Sequence, residues 1–168
     1  MTVDIDELER LRHSASHVLA QAVLHFFPDA KLGIGPAIDD GFYYDFELSR
    51  SLTNDDLKNI EKQMKRIIKE NQDFHHFTLS KEAAIKKLKE KNQTYKLELI
   101  DDLGESEYSF YENGPFIDLC KGPHVDKTRQ IGAVKVLKVA GAYWRGSEKN
   151  KMLQRIYGTA FKTKEELS

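Results

Sequence analysis

Cysteine is nearly absent from this sequence of 168 residues, in which Cys120 is the single one. One cysteine cannot form a disulfide within the chain, which indicates a reducing compartment. Glycine and proline are also sparse, at 10 and 4 residues, while aromatic side chains make up 10% of the chain. This composition excludes a low-complexity or disordered chain and predicts one ordinary folded domain.

An excess of charge of either sign is missing as well. Lysine and arginine total 26, aspartate and glutamate total 27, and the formal net charge is −1. This balance excludes a polybasic protein that binds by overall charge, but it allows local basic patches. The longest apolar stretch, 18–27, falls far short of the roughly 20 residues that span a membrane. Residues 1–6 are acidic and do not resemble a secretory signal, so we expect a cytoplasmic protein without a membrane partner.

Hydrophobic periodicity predicts an α+β fold with a largely antiparallel sheet and flanking helices. Apolar residues recur at helical spacing over 5–27, which predicts an N-terminal helix. Capping signals at Thr53 and Ser80 predict two more helices, ending near Glu70 and Lys91. A loop is expected over 141–146. Strands are expected over 42–46, 74–79, 95–100, 108–111, 116–119, 132–140 and 152–161.

Two histidines stand four positions apart in the predicted N-terminal helix, which places both side chains on one face. They are His13 and His17. A helical wheel puts them roughly opposite the apolar stripe near Leu8, Ala15 and Phe26, so we do not expect core histidines. A solvated surface pair and a functional pair are both open interpretations at this point.

A second pair joins the only cysteine to a histidine, across the segment Asp118-Leu-Cys-Lys-Gly-Pro-His124. The Lys-Gly-Pro neighbours of Cys120 indicate an exposed turn rather than a core strand. Together, the two pairs have the composition of a tetrahedral zinc site. Without zinc, the same groups could hold the end of a nucleic acid or activate water.

Three further histidines carry weaker signals. His25 lies near the edge of the apolar stripe, and His75 and His76 point to opposite faces of a short strand, so we expect structural roles. The glycine-rich segment 33–36 lacks the rest of a phosphate-binding motif. We interpret it as a loop that shapes a pocket wall.

Positive charge is clustered in the C-terminal third, where aromatic residues lie between the basic ones. The basic residues are Lys135, Lys138, Arg145, Lys149, Lys151 and Arg155, and the aromatic ones are Tyr143, Trp144 and Tyr157. Aromatic rings stack on bases and cations contact phosphates, so this segment is typical of a nucleic-acid surface.

Five segments resemble the editing domain of bacterial-type threonyl-tRNA synthetases, namely 13–17, 41–45, 118–125, 140–146 and 150–161. The histidine and cysteine pairs are shared with the editing family of the alanyl-tRNA synthetases. The Tyr-Trp-Arg-Gly and Gln-Arg-Ile-Tyr-Gly-Thr segments are similar to the threonyl branch specifically. The resemblance runs from about Leu11 to Phe161 and implies a single editing domain over 1–168. A division into two subdomains stays open, in which about 1–50 and 93–168 form the site and 51–92 is an inserted segment of helix and strand.

This resemblance implies hydrolysis of seryl-tRNA(Thr), the product of a mischarging error. Serine lacks one methyl group of threonine, so a site that accepts threonine rejects serine by only about 1–3 kcal/mol. A second pocket too tight for that methyl restores fidelity. The aminoacylation domain is not found in these residues, so we expect a fragment or a stand-alone module. The partners are then tRNA(Thr) and, for a fragment, the other synthetase domains.

The resemblance also implies the site residues. Those assigned to catalysis are His13, Lys96, Asp118 and Cys120, and those assigned to substrate binding are His17, Tyr44 and His124. His13 and Lys96 would position and polarise the attacking water, and Asp118 would hold the substrate ammonium group. The remaining four would line the pocket and hold the terminal adenosine. Only the family match points to Lys96, in a segment where a strand is expected.

No metal is expected, because the threonyl branch is generally regarded as editing without one. Asp118 and Lys96 also supply charge that a zinc mechanism does not need. The alternative is zinc bound by the two pairs, as in the alanyl branch. A further alternative is a tRNA-binding module without catalytic activity, which would keep the basic and aromatic C-terminal third.

Overall fold

The computed structural model describes residues 5–167 and has the predicted α+β fold. The helices of this part are α1 (Ile5–Phe26), α2 (Asn54–Lys69), α3 (Lys81–Glu90), α4 (Thr94–Leu103) and α5 (Lys164–Leu167). The strands are β1 (Lys31–Leu32), β2 (Ala37–Ile38), β3 (Gly41–Glu47), β4 (His75–Ser80), β5 (Glu107–Asn113), β6 (Phe116–Leu119), β7 (Ala133–Tyr143) and β8 (Met152–Phe161). Residues 1–4 of the acidic N-terminal segment 1–6 lie outside the described residues. The division at 51–92 stays a prediction.

All paired strands are antiparallel, and they form two sheets. The larger sheet has the order β1-β3-β8-β7, with β2 also pairing with β3, and the smaller has the order β4-β5-β6. Helices α1 and α2 cover one face of the larger sheet and form the main core with it. Helices α3 and α4 form a second core with the smaller sheet.

Strand β3 shows how the sequence builds this core. Phe42, Tyr44 and Phe46 are fully buried against the helices, because alternate residues of a strand point to the same face. Burying each large apolar side chain contributes about 1.5–3 kcal/mol, which fixes the strand and its register. Tyr43 and Asp45 therefore point to the opposite face of the sheet, which we call the outer face.

The prediction of a strand over 95–100 is wrong, because these residues lie in helix α4. Tyr95 and Leu99, four positions apart, pack with Trp144 and Leu153. A short run of apolar and polar residues fits both strand and helix periods, so periodicity alone could not decide. The loop expected over 141–146 is also partly wrong, since β7 continues to Tyr143 before a short 3₁₀ turn.

No helix within residues 5–167 combines the length and the apolar composition that a membrane crossing requires. The three remaining histidines lie at the surface, His25 at the end of α1 and the other two in β4. His75 stacks on Phe77, and His76 contacts Tyr111 of the neighbouring strand.

The start of α2 allows a test of the predicted cap. The Thr53 hydroxyl accepts a hydrogen bond from the Asp56 amide at 3.2 Å, and the Asp56 carboxylate accepts one from the Thr53 amide at 2.7 Å. Thr53→Ala removes the cap, so we expect the free energy of unfolding to fall by about 1 kcal/mol. Urea unfolding followed by circular dichroism measures this change. Thr53→Ser keeps the hydroxyl and should retain most of the stability, and equal losses in both variants would contradict the capping role.

Candidate active site

The two predicted pairs of metal-ligand type meet in the structure. One nitrogen or sulfur atom from each of His13, His17, Cys120 and His124 lies within 4.8 Å of the others. The Sγ atom of Cys120 is 3.4 Å from Nε2 of His13 and 3.3 Å from Nε2 of His124. We call these four residues the histidine–cysteine cluster.

The expectation that His13 and His17 avoid the core is wrong for His17, which is only 2% exposed. His13 is half-buried. The ring of Phe116 packs edge-on against His17 at 5.5 Å, and the His124 ring lies 4.2 Å away. A helical wheel drawn around one apolar stripe cannot show that β6 and the following turn cover a second face of α1.

The turn between Cys120 and His124 has an exposed tip, as predicted, at Lys121 and Pro123. Gly122 has a φ of +77°, and the ring of Tyr111 lies where a Cβ atom would stand. Glycine is therefore required at this position both by the backbone conformation and by the space. The turn brings the thiol and the imidazole to the same side, facing α1.

Ser14, which the sequence analysis did not single out, ties α1 to this turn. Its Oγ atom is 2.8 Å from the Arg10 carbonyl oxygen, 2.9 Å from the Val125 amide and 3.0 Å from Nδ1 of His124. A carbonyl only accepts, so the single hydroxyl proton goes to Arg10, and Oγ accepts from Val125 and from His124. His124 is then protonated at Nδ1, and its Nε2 presents a lone pair to Cys120.

A buried ion pair lies beside the histidine–cysteine cluster. Nζ of Lys96 is 3.0 Å from Oδ1 of Asp118, and the two residues are 4% and 3% exposed. At this separation the two side chains form a salt bridge, in which opposite charges attract each other. The Tyr44 hydroxyl donates to Oδ2 of Asp118 at 2.5 Å, and Nε2 of His17 lies 3.5 Å from the same oxygen.

Helix α4 carries Lys96 into this position. The Tyr95 hydroxyl donates to Glu47 at 2.5 Å, and its ring packs on Trp144. Before the helix, the Gln93 side-chain amide accepts from the Leu32 amide at 2.7 Å and donates to the Ala30 carbonyl at 3.2 Å. These contacts fix the helix against the larger sheet, so the adjacent lysine points into the site.

The protonation states follow from burial. Burial lowers the pKa of His13, of His17 and of His124, so all three rings are neutral at pH 7. Burial, with the nearby Asp118 carboxylate, raises the pKa of the Cys120 thiol to about 12. Burial raises the pKa of Tyr44 well above its ordinary value, as does Asp118, so its hydroxyl remains a donor. Neutral imidazoles accept protons, whereas a protonated thiol is a poor nucleophile.

A cleft of about 480 Å³ opens beside His13. This volume lies within the range of small-molecule sites. Pro36 and Ala37 form one wall, which agrees with the interpretation of 33–36 as a wall-forming loop. Within this loop, Gly35 lies so close to the Tyr44 ring that a Cβ atom would overlap it. The other lining residues are Glu9, Arg10, Gly122 and Pro123.

The histidine–cysteine cluster fits zinc in its donor atoms, which are three imidazole nitrogens and one sulfur. The two sulfur-to-nitrogen distances of 3.3 and 3.4 Å resemble the edge of a zinc tetrahedron, about 3.6 Å from ordinary bond lengths. Nδ1 of His17 is buried and has no hydrogen-bond partner within residues 5–167. The residues are therefore able to hold the ion that the alternative interpretation requires.

The predicted nucleic-acid segment is only partly exposed. Trp144 is 3% exposed because it packs with Tyr95 and Leu153, so the expectation that it stacks on bases is wrong. Arg155 binds the buried Asp45 through two hydrogen bonds of 2.8 and 3.0 Å. Tyr143 and the four lysines are exposed, and Tyr157 is half-buried.

Residues 108–157 match the family model described as "Threonyl and Alanyl tRNA synthetase second additional domain". The threonine–tRNA ligase of Clostridium novyi (strain NT) is 58% identical over 165 residues, which are 98% of this chain and 26% of that protein. The chain belongs to the editing domains of the threonyl-tRNA synthetases. This confirms the resemblance.

Two other relatives show the same pattern. The threonine–tRNA ligase of Clostridium botulinum (strain Kyoto / Type A2) is 60% identical over 158 residues, or 94% of this chain and 25% of the ligase. The threonine–tRNA ligase of Acetivibrio thermocellus is 57% identical over 157 residues, which are 93% of this chain and 25% of that ligase. The editing domain thus spans about a quarter of the length of these relatives.

The hydroxyl of Ser14 gives a direct test of the protonation pattern. Ser14→Ala removes the acceptor for Nδ1–H of His124, so we expect both neutral tautomers of His124 in the variant and one in the parent. Nitrogen-15 spectra of labelled imidazoles measure this, with the exposed His25 as an internal reference. Loss of the partner of the buried Val125 amide should also lower the free energy of unfolding by about 1–3 kcal/mol. A single unchanged tautomer in the variant would contradict the role of Ser14.

Proposed function

We propose that this editing domain hydrolyses the ester bond of seryl-tRNA(Thr) and that it acts in the cytoplasm. The threonyl-type relatives support the class of tRNA. The observation that carries the proposal is the position of His13 in the wall of the cleft, backed by the buried Lys96–Asp118 pair. This arrangement combines a proton acceptor with a fixed positive charge, which are the two needs of ester hydrolysis.

The attacking water must lose a proton as it adds to the ester carbonyl. His13 lines the cleft, and its lowered pKa leaves the ring able to accept that proton at pH 7. Negative charge then develops on the carbonyl oxygen. The ammonium of Lys96 stabilises this charge effectively, because few water molecules screen it in a buried site. When the carbonyl re-forms, the ester bond breaks, and the proton held by His13 passes to the departing ribose oxygen.

The substrate ammonium group needs acceptors that have a lone pair to spare. Nδ1 of His17 is buried and has no hydrogen-bond partner within residues 7–167, and Oδ1 of Asp118 is paired there with Lys96 through one of its two lone pairs. An ammonium group has three donors, so these two atoms suit it. We assign the ammonium of the serine ester to Asp118 and assign to the same carboxylate the task of positioning Lys96.

The remaining site residues hold the reacting groups in place. Cys120 lies between two imidazole nitrogens and, as a protonated thiol, donates a hydrogen bond rather than attacking the ester. Tyr44 fixes the Asp118 carboxylate through its hydroxyl. None of these side chains lines the cleft itself, so we propose that they and His124 lie behind its wall and shape the site for the terminal adenosine.

Selectivity and metal dependence are tested together by single-turnover hydrolysis of seryl-tRNA(Thr) and threonyl-tRNA(Thr). We expect the serine ester to be lost at least about 10-fold faster, because the extra methyl of threonine does not fit. A strong chelator should leave the rate unchanged. Equal rates for the two esters would contradict the second-sieve function.

A zinc-dependent deacylase of the alanyl type is the second candidate, favoured by the convergence of four donor atoms. Zinc bound by His13, His17, Cys120 and His124 would lower the pKa of a coordinated water. Hydrolysis that a chelator abolishes and zinc restores would select this candidate. Binding of the tRNA without any hydrolysis would select the non-catalytic module.

The proposed role of His13 predicts a separation of rate from binding. His13→Ala should lower the single-turnover rate by about 100-fold or more, since general-base catalysis typically contributes that much. Binding of uncharged tRNA(Thr), measured by fluorescence anisotropy, should change by less than about threefold. His25→Ala removes an exposed histidine from the same helix and is the matched control. Equal losses of rate and binding in His13→Ala would remove His13 from the catalytic group.

A further inference from the structure

The β7–β8 hairpin is strongly basic, although the whole chain has a net charge of −1. Between Ala133 and Phe161 it contains six lysine or arginine residues and one acidic residue, Glu148. Arg145 and Arg155 form ion pairs with Asp102 and Asp45. The four lysines of the hairpin are exposed and form no ion pair with any residue in 7–164; they are Lys135, Lys138, Lys149 and Lys151. This excess of free positive charge fits a partner that carries negative charge.

Aromatic rings and lysine form a row across the outer face of the larger sheet. Tyr43 of β3 is the register partner of Tyr157 of β8, and the two ring centres are 5.9 Å apart. Tyr157 is in turn the register partner of Lys138 of β7, whose ammonium lies 4.9 Å from the ring centre. One row thus carries two adjacent rings and a cation.

A groove of about 590 Å³ adjoins this row. Its lining includes Tyr43, Tyr143, Arg145 and Arg155. The Arg155 guanidinium stacks 3.9 Å from the centre of the Tyr43 ring and is held there by the buried Asp45. A groove of this volume accommodates a group of nucleotide size, and its walls offer both π-faces and positive charge.

We propose that the outer face, defined by Tyr43, Tyr157, Lys135, Lys138 and this groove, binds an RNA segment of the substrate. The phosphates would contact the lysines while the bases stack on the tyrosines, as on other sheet surfaces that bind single strands. An acidic protein segment would use the lysines but would not require two adjacent rings. The proposal rests on the proposed function, because it takes a tRNA as the substrate.

The bound segment is not the nucleotide that enters the catalytic cleft. Tyr44 points to the Asp118 carboxylate, and Tyr43, its neighbour in β3, points to the outer face. The two faces of the same sheet therefore receive two different parts of one RNA. The outer face contributes to capture of the tRNA and leaves the chemical step to the cleft.

The test separates capture from chemistry with the whole 168-residue chain. Lys135→Ala combined with Lys138→Ala should raise the enzyme concentration for half-maximal hydrolysis of seryl-tRNA(Thr), with an unchanged rate at saturation. The dependence of log affinity on log salt should become shallower by about 1.4, since each lost phosphate contact to a single strand contributes about 0.7. Lys86→Ala combined with Lys89→Ala removes the same charge from exposed positions of α3 and should change neither quantity. Hydrolysis of seryl-adenosine, which has no phosphate, should be the same in all these variants.

Stacking is tested at Tyr157. Tyr157→Leu should weaken tRNA binding by roughly 5- to 100-fold, while Tyr157→Phe keeps the ring and should bind almost as the parent does. Equal tRNA affinities of Tyr157→Leu and Tyr157→Phe would overturn the proposal that the outer face binds RNA. Equal effects of the Lys135/Lys138 and Lys86/Lys89 double variants on tRNA capture would overturn it as well. If the parent hydrolyses neither ester, the proposed function fails. Anisotropy with uncharged tRNA then still decides the outer face, because binding there does not need the reaction.

Discussion

The buried ion pair between Lys96 and Asp118 is the constraint around which the site is built. Withdrawing two charges from water costs several kcal/mol per ion and is tolerated only where partners surround them. Tyr44 and His17 supply those partners on the carboxylate side. The four residues come from α4, β6, β3 and α1, so the pair connects the larger sheet to the smaller one. Loss of one partner would leave an uncompensated charge, at a cost of about 3–5 kcal/mol.

Much of the fold could be predicted from local signals. The cap at Thr53, the aromatic run of β3 and the periodicity of α1 each involve residues close in sequence, and each was sufficient for its element. Helix α4 was not predictable in this way, because 95–100 contains too few residues to separate a helix from a strand. Its conformation depends on Tyr95 and Leu99 packing with Trp144, which is about 50 positions away in the sequence.

The reactive side chains of the site could be predicted from the sequence, but the residues that surround them could not. The spacing of the two pairs indicated His13, His17, Cys120 and His124, whereas only the resemblance to a family indicated Lys96. Ser14 has no chemical signature of its own, because a serine within a helix commonly bonds to the carbonyl four positions back. Its role depends on where the 120–125 turn docks. For the same reason, the burial of His17 and of Trp144 could not be inferred from neighbours in the sequence.

The alternation of Tyr43 and Tyr44 restricts how β3 can change in length. An insertion or deletion of one residue within Gly41–Glu47 would exchange the two faces, turning Tyr44 towards solvent and Tyr43 towards Asp118. A single-codon length change would therefore disrupt both surfaces at once. The larger sheet accommodates an extra residue elsewhere, in the irregularity between Val136 and Lys138 of the edge strand β7. Length variation among relatives is accordingly expected at that edge and excluded from β3.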